Sequence, residues 1–430
     1  MSASACVSRP RVGWYGDDLT GATDTLATWA ERGHRALLFL RPPTSSQLAA
    51  AGPLDAVGIA GAARSMPPDA AAAELDAAGR AFAALGVDVV HYKCCSTFDS
   101  APDIGSIGAA VAVLRRHVAN PLVPILGGQP NLGRYCLFGN LFAAAGAGGA
   151  VHRIDRHPTM SKHPVTPMAE ADLRRHLIAQ GLERVALIDY RAYAEGDAET
   201  RLDANLAAAP HAVLFDVAQE SDLAVIGRLL TDHLVAGPML AVGPSSVARA
   251  LAAVWDEPAA PLVLPHARPR TGGPVLALVG SLSPVTRAQV AAARGYQIIA
   301  IESARLLVDA AYQHGLGRAA IAGLAQGHVM LVTNEAQGAA MARVAQATAA
   351  LLGAVLGEAD VSRIVVAGGD TSSHAAAALD AWGLSYRAPM VPGAPLCRLH
   401  SDDPHLDGRD IILKGGQMGP VTFFADVITG

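Results

Sequence analysis

Two aspartates stand side by side in Gly16-Asp17-Asp18-Leu19-Thr20-Gly21, directly after an apolar run and directly before a helical stretch. In open α/β sheets, ligands bind beyond the carboxyl ends of the strands, so this position suits chemistry. Adjacent carboxylates can divide roles there. One takes a proton from a substrate hydroxyl, and the other orients the ligand or a metal ion. The plainer alternative is that Asp18 or Thr20 caps the helix, worth about 1 kcal/mol. A phosphatase of the haloacid dehalogenase type also begins with a strand ending in aspartates, but it needs D-x-D. Here Leu19 occupies the place of the second carboxylate.

A second cluster, Lys93-Cys94-Cys95-Ser96-Thr97-Phe98-Asp99-Ser100, follows the apolar run Val87–Tyr92 and gathers an amine, hydroxyls and a carboxylate. Such a loop can grip a polyhydroxylated ligand; it can equally be an ordinary polar loop. Arg64, after Ala56–Ala60, could clamp a carboxylate with two N–H groups, or simply be a solvated arginine. A third cluster, from His152 to Met168, crowds histidines and cations between prolines. Its histidine spacing is not that of a helical metal site, and it reads either as a rigid surface loop or as an anion-recognition loop. Three glycine turns follow apolar runs in the last third of the chain. They are Gly280-Ser281-Leu282-Ser283, Gly368-Gly369-Asp370-Thr371-Ser372 and Lys414-Gly415-Gly416-Gln417. Small residues let a backbone approach a phosphate, and a helix N-terminus offers it free N–H groups. No G-x-x-x-x-G-K-[ST] occurs, and no G-x-G-x-x-G follows the first strand, so neither a Walker loop nor a dinucleotide fingerprint is present.

Positioning these groups requires alternating strands and helices. Short apolar runs predict strands at Val12–Tyr15, Ala36–Leu40, Ala56–Ala60, Val87–Tyr92, Pro121–Leu126, Val185–Ile188, Ala212–Phe215 and Met239–Val242, with amphipathic stretches between them. Among those stretches are Ala22–Arg32, Ala70–Leu85, Ile107–Val118, Glu170–Gln180 and Leu223–Leu234, and Ser245 and Ser246 are expected to cap one more helix. A stretch from Pro258 to Pro274 is dense in proline and glycine, with only Pro261–Leu264 resembling a strand, and reads as an interdomain linker. Strands then restart at Val275–Val279, Ile298–Ile301, Val329–Val332 and Ile364–Ala367, with helices at Val285–Ala293, Ala340–Leu356 and Ser372–Trp382. The pattern predicts an α/β protein of two domains, 1–265 and 266–430, each a largely parallel sheet flanked by helices.

Composition agrees with that expectation. The 430 residues exceed what one core usually organises, and 51% apolar against 17% charged residues supply ample buried sheet. A net charge of −5 leaves no surplus of Lys and Arg for a phosphate backbone, so no nucleic-acid partner is expected. No uninterrupted apolar stretch reaches the length of a membrane span. The N-terminus lacks the apolar core of a signal peptide, and five cysteines without a C-x-x-C pair suggest reduced thiols in the cytoplasm.

Taken together, these motifs resemble the four-carbon acid sugar kinases. The resemblance runs over nearly the whole chain. It rests on Asp17-Asp18-Leu19-Thr20-Gly21-Ala22-Thr23-Asp24, on Lys93 with Cys95 to Ser100, and on His163-Pro164-Val165-Thr166-Pro167-Met168. Gly280-Ser281, Gly368-Gly369-Asp370-Thr371 and Lys414-Gly415-Gly416 complete it. The resemblance implies an N-terminal domain that binds an acid sugar, a C-terminal domain that binds ATP, and transfer in the cleft between them. It implies a phosphotransferase with an alcohol group as acceptor, using ATP and Mg²⁺, with closure about a linker near residue 270. Nucleotide contacts carry over onto Ser281, Gly368, Gly369, Asp370, Thr371 and Gly416. Substrate contacts carry over onto Asp17, Asp18, Arg64, Lys93, Asp99 and Ser100, with Asp18, or else Asp17, as proton acceptor. No residue is assigned to the metal, and a homo-oligomer is left open.

The chain also departs from the family pattern. Asp370 stands where many members have Glu, and the segments 100–108 and 153–162 differ from the typical 3-oxo-tetronate and threonate kinases. A branched relative such as 3-oxo-isoapionate therefore joins the four-carbon candidates. A non-catalytic sensor of the same two ligands, a sugar-phosphate phosphatase and a dehydrogenase are the rival readings.

Overall fold

A computed structural model of the protein describes residues 9–146, 148–255, 269–334 and 340–430. The chain divides into two compact units, Met1–Leu262 and Val263–Gly430. Most of the predicted linker, including Pro258, Pro261 and Pro265 and the expected strand Pro261–Leu264, lies outside the described residues.

The N-terminal unit contains β1 (Val12–Gly16), β2 (Ala36–Phe39), β3 (Ala56–Ala60), β4 (Val89–Lys93) and β5 (Pro124–Gly127). After them come β6 (Arg134–Leu137), β7 (Asn140–Ala144), β8 (Val151–Arg153), β9 (Val185–Ile188), β10 (Ala212–Asp216) and β11 (Met239–Gly243). Eight of these strands form one parallel sheet in the order β2-β3-β1-β4-β11-β5-β10-β9. Every residue of β1, β4, β5, β10 and β11 is buried, as a parallel sheet covered on both faces demands. This is why the apolar runs were continuous rather than alternating.

β6, β7 and β8 form a separate antiparallel sheet that the sequence pattern did not predict. Its first turn, Phe138-Gly139, holds φ at +51° and +80°. That is the positive-φ geometry favoured in two-residue hairpins, here with a bulky residue at the first position. The Asp216 carboxylate at the end of β10 accepts the N–H groups of Phe138 (2.5 Å) and Gly139 (2.9 Å) and so fixes the turn from a distant part of the chain.

The C-terminal unit contains β12 (Val275–Val279), β13 (Tyr296–Ile301), β14 (His328–Thr333), β15 (Arg363–Ala367), β16 (Gly383–Val391), β17 (Ala394–His400) and β18 (Asp410–Lys414). They are ordered β13-β14-β12-β15-β18-β17-β16. The first five run parallel, whereas β17 lies antiparallel to both β18 and β16. The β16–β17 hairpin was also unexpected. Pro389 lies inside β16, and the ladder shifts register between Ala388 and Val391, an irregularity that accommodates a residue lacking an N–H. The helix expected at Ser372–Trp382 starts earlier and ends sooner, at Gly369–Ala378. No helix among the described residues is long and apolar enough to cross a membrane.

Candidate functional site

The first cluster assembles at the carboxyl ends of β1, β3 and β4. Asp17 leaves β1, and its N–H bonds the Lys93 carbonyl at the end of β4 (3.0 Å). Arg64 sits in the short helical turn Ala63–Ser65 after β3, and its own N–H bonds the Asp17 carbonyl (3.1 Å). The backbone thus sets the three residues together before any side chain acts. Arg64 then donates from Nε (3.2 Å) and Nη2 (2.7 Å) to the two Asp17 oxygens and from Nη1 (2.8 Å) to Asp18. One guanidinium holds both carboxylates.

Asp18 is also the N-cap of the helix Leu19–Glu31, accepting the Gly21 N–H at 2.8 Å and the Thr20 hydroxyl at 2.8 Å. The capping alternative is therefore correct and coexists with the ion pair. The Lys93 ammonium faces the same turn: a Cβ placed on Gly21 would lie 2.7 Å from its Nζ. Exposure separates the aspartates, with 4% of the Asp17 side chain and 15% of the Asp18 side chain reaching solvent. Burial pushes the Asp17 carboxyl up to about 6 despite the Arg64 and Lys93 charges. Asp18 also suffers desolvation, but Arg64, Lys93 and its hydrogen bonds outweigh it and hold its carboxyl below the usual range.

Asp99 and Ser100 lie in the loop after β4 and behave differently from each other. The Asp99 carboxylate accepts the Thr97 hydroxyl at 2.6 Å. The Ser100 hydroxyl donates to the Phe98 carbonyl (2.8 Å), receives the Gln180 side-chain N–H (2.8 Å) and lies 3.0 Å from His176 Nε2. Ser100 thus ties down a loop whose Phe98 is buried at a φ of +53°. In the proline-punctuated loop, His157 Nδ1 accepts the N–H groups of Thr159 and Met160, and His163 Nδ1 accepts that of Thr166. These two imidazoles fasten turns, as the rigid-loop alternative requires.

A further cluster went unassigned in the sequence. Asp24 accepts the Ser245 hydroxyl (2.5 Å) and the Gln129 amide (3.0 Å), joining the helix Leu19–Glu31 to the segments after β11 and β5. Ser245 precedes the helix Ser246–Ala252 without capping it by its side chain, contrary to expectation, because its hydroxyl is committed to Asp24 and Thr25. The signal available was Asp24 in the quoted aspartate motif.

In the C-terminal unit the three glycine turns converge at the ends of β12, β15 and β18. The N–H groups of Gly280 and Ser281 both bond the Ala367 carbonyl (2.9 Å each), and the Gly368 N–H bonds that of Lys414 (2.8 Å). Gly368 adopts φ +133°, and a Cβ there would lie 3.1 Å from the Ser281 nitrogen. A Cβ on Gly416 would collide with the Ser281 hydroxyl. Gly368 precedes the helix Gly369–Ala378 and gives it no side-chain cap, and no described side chain accepts the first-turn N–H groups of Gly369, Asp370 and Thr371. A Cβ added to Gly369 would meet nothing beyond its own helix within 4 Å, whereas the Thr371 side chain packs over Gly280. Lys414, quoted in the motif without a role, is fully buried. Its ammonium donates to Thr286 Oγ1 (3.2 Å), the Gly415 carbonyl (3.1 Å) and the Met418 carbonyl (3.2 Å), and burial lowers it to about 8. The lysine thereby shapes the Gly415–Met418 turn.

One unit thus carries a clamped carboxylate pair at its strand ends, and the other carries an uncapped helix start amid glycines, an arrangement suited to phosphate. Residues 12–251 match the family model described as a sugar-binding N-terminal domain, and residues 276–424 match a nucleotide-binding C-terminal domain. The chain is 39% identical to the 3-oxo-isoapionate kinase of Paraburkholderia graminis, over 97% of this chain and 94% of that one. It is 32% identical to the 3-oxo-tetronate kinase of Methylobacterium radiotolerans, over 96% of this chain and 97% of that one. A solved Salmonella typhimurium LT2 protein, carried under a provisional description as a tRNA synthase, shares the fold with a TM-score of 0.77 and 26% identity, covering 96% of this chain and 98% of its own. The chain belongs to the four-carbon acid sugar kinase family. It is a phosphotransferase with an alcohol group as acceptor, and the phosphatase and dehydrogenase readings fall away.

Proposed function

We propose that the protein transfers the γ-phosphoryl group of ATP to a hydroxyl of a 3-oxo acid sugar, with branched 3-oxo-isoapionate the preferred substrate over four-carbon 3-oxo-tetronates. The observation that carries the reading is the carboxylate pair Asp17–Asp18 gripped by Arg64 at the strand ends. The 39% identity to a 3-oxo-isoapionate kinase favours the branched substrate.

Phosphoryl transfer asks a protein chiefly for alignment and charge neutralisation. Asp18, the more accessible carboxylate, takes the proton of the attacking hydroxyl; geometry outranks its low basicity in that choice. Asp17 is a positioning residue that keeps Arg64 in place. Arg64 spends one N–H of each nitrogen on the aspartates, and the second N–H of each terminal nitrogen remains for the substrate carboxylate. Lys93 and Asp99 complete the sugar contacts, and Ser100 supports their loop. In the nucleotide-binding unit, the N–H groups of Gly369, Asp370 and Thr371 receive phosphate oxygens, with Ser281, Gly368 and Gly416 shaping the cradle. Mg²⁺ supplies charge neutralisation on the phosphates.

A coupled ADP-release assay against 3-oxo-isoapionate, 3-oxo-tetronates and threonate tests the proposal, with and without Mg²⁺. The branched substrate should give the highest kcat/KM. A higher value for a tetronate would reject the substrate assignment alone, and tight binding of ATP and acid sugar without ADP release would reject the reaction.

A further inference from the structure

Three side chains at the start and along one face of a single helix converge on one turn. The helix Pro284–Ala292 has Ser283 as its N-cap, and Ser283, Thr286 and Gln289 follow one another at intervals of three. They meet the segment Gly415–Pro420, directly after β18. The Ser283 and Thr286 hydroxyls both donate to the Gly416 carbonyl, Thr286 at 2.8 Å. The Gln289 amide nitrogen donates to the carbonyls of Met418 (2.9 Å), Gly419 (3.0 Å) and Pro420 (2.9 Å). Lys414 closes the set from the strand, its three protons matched to Thr286 Oγ1 (3.2 Å) and the Gly415 (3.1 Å) and Met418 (3.2 Å) carbonyls. Thr286, Gln289 and Lys414 are fully buried.

Thr286 links the two sides. Because its oxygen accepts from Lys414, its one proton is left for the Gly416 carbonyl, and together with Ser283 it fills both lone pairs there. The Gly415 carbonyl is filled likewise, by Lys414 and by the Met418 N–H (3.3 Å). A trans peptide holds its N–H opposite its C=O, and no cis bond occurs among the described residues. The N–H groups of Gly416 and Gln417 therefore point away from the helix and from Lys414. Among the described residues, nothing accepts either of them. A surface turn can leave its carbonyls to water, and Gln417 is exposed. Here buried donors draw the carbonyl oxygens inward instead. An anion approaching this turn meets N–H groups rather than carbonyl oxygens.

We propose that Thr286 is a positioning residue for ATP: by relaying Lys414 to the Gly416 carbonyl, it presents the Gly416 and Gln417 N–H groups to a phosphate oxygen. The inference rests on the nucleotide reading of the glycine turns. It adds to that reading a side chain that orients the cradle without touching the ligand.

Thr286→Val keeps the shape and removes the hydroxyl, whereas Thr286→Ser keeps the hydroxyl. Calorimetric titration gives the ATP affinity of each variant, and the ADP-release assay gives its KM for ATP and its kcat. Valine should raise the ATP dissociation constant and KM about tenfold, the scale of one hydrogen bond lost with buried partners left unsatisfied. At saturating ATP, kcat should change by less than about threefold, because the contact is made before and during transfer alike. Serine should restore the wild-type values. Adenosine, which has no phosphate, should compete with ATP equally well in the wild type and in the valine variant once the change in KM is allowed for. Thr286→Cys, close in volume and only a weak donor, keeps the test open if the valine variant does not fold. Unchanged ATP affinity in the valine variant, a loss that serine does not recover, or an equal loss for ATP and adenosine would overturn the proposal. A wild-type chain that binds no ATP would instead reject the nucleotide reading itself.

Discussion

Asp17 and Asp18 share one guanidinium, yet their environments pull their protonation in opposite directions. Asp17 pays for burial, and its carboxyl sits at about 6; Asp18 stays ionised below the usual carboxylate range. The sign of the consequence follows from linkage. The folded state binds a proton on Asp17 more tightly than the unfolded chain does. The stability Asp17 contributes is therefore greatest when it is protonated and declines as pH rises toward about 6. Activity should run the other way, because protonation weakens the hold on Arg64. We expect kcat/KM to fall below about pH 6, and Asp17→Asn to be slower at neutral pH but to lose that acidic limb. A pH–rate profile unchanged by Asp17→Asn would remove Asp17 from the positioning role. Asp18→Asn should reduce kcat by about 10²–10⁴, the usual cost of losing a general base. Its stability should also drop, by about 1–3 kcal/mol, because an amide replaces the ion pair to Arg64 while only the cap to Gly21 is kept. A change confined to KM would leave Asp18 as a sugar contact only.

At the scale of elements, what the sequence made legible was whatever a local pattern encodes. Val275–Val279 was read at its true limits because a buried parallel strand is a continuous apolar run, and the half-buried edge strand Val185–Ile188 is apolar throughout as well. The β6–β7 hairpin was not legible, because its turn is held by Asp216, some 77 residues away, and no Asn-Gly or Asp-Gly marks it. Ser245 as a cap failed for the same reason: its hydroxyl bonds Asp24, 221 residues distant in the chain. The aspartates and the glycine turns were visible as motifs, but the sharing of Arg64 between two carboxylates was not, since tertiary folding alone sets that geometry. Ser100 belongs to this class. Its hydroxyl joins the Phe98 carbonyl, His176 and Gln180, so Ser100→Ala should cost about 1–3 kcal/mol through the partners left unsatisfied in a buried site. Thermal unfolding checks the loss, and kcat measured well below the new midpoint should change by less than about tenfold.

For the molecule as a whole, the proposed division of labour predicts two affinities that can be removed independently. Gly369 begins a helix without a side-chain cap, and a Cβ added there would enter open space. The residue does not itself need positive φ; Gly368 is the one that does. Gly369→Val should therefore fold without backbone strain while filling the volume a phosphate would enter, weakening ATP binding by about tenfold or more. Binding of the acid sugar should stay within about twofold of wild type, since its proposed contacts all belong to the N-terminal unit. Arg64→Ala should do the reverse. It removes the cation for the substrate carboxylate and leaves Asp17 buried beside Asp18, so acid-sugar affinity falls while ATP affinity persists. Calorimetric titration of each ligand into each variant gives the four affinities directly. Because Arg64→Ala also exposes an uncompensated carboxylate pair, its folded fraction must be checked by thermal unfolding, and Arg64→Lys serves where the alanine variant is too unstable. Lysine keeps the charge but cannot hold both aspartates and a ligand with a planar fork, so it should lose acid-sugar affinity alone. If Gly369→Val lowered both affinities equally in a folded protein, the two sites could not be separate, and nucleotide and sugar would have to be assigned to a single locus.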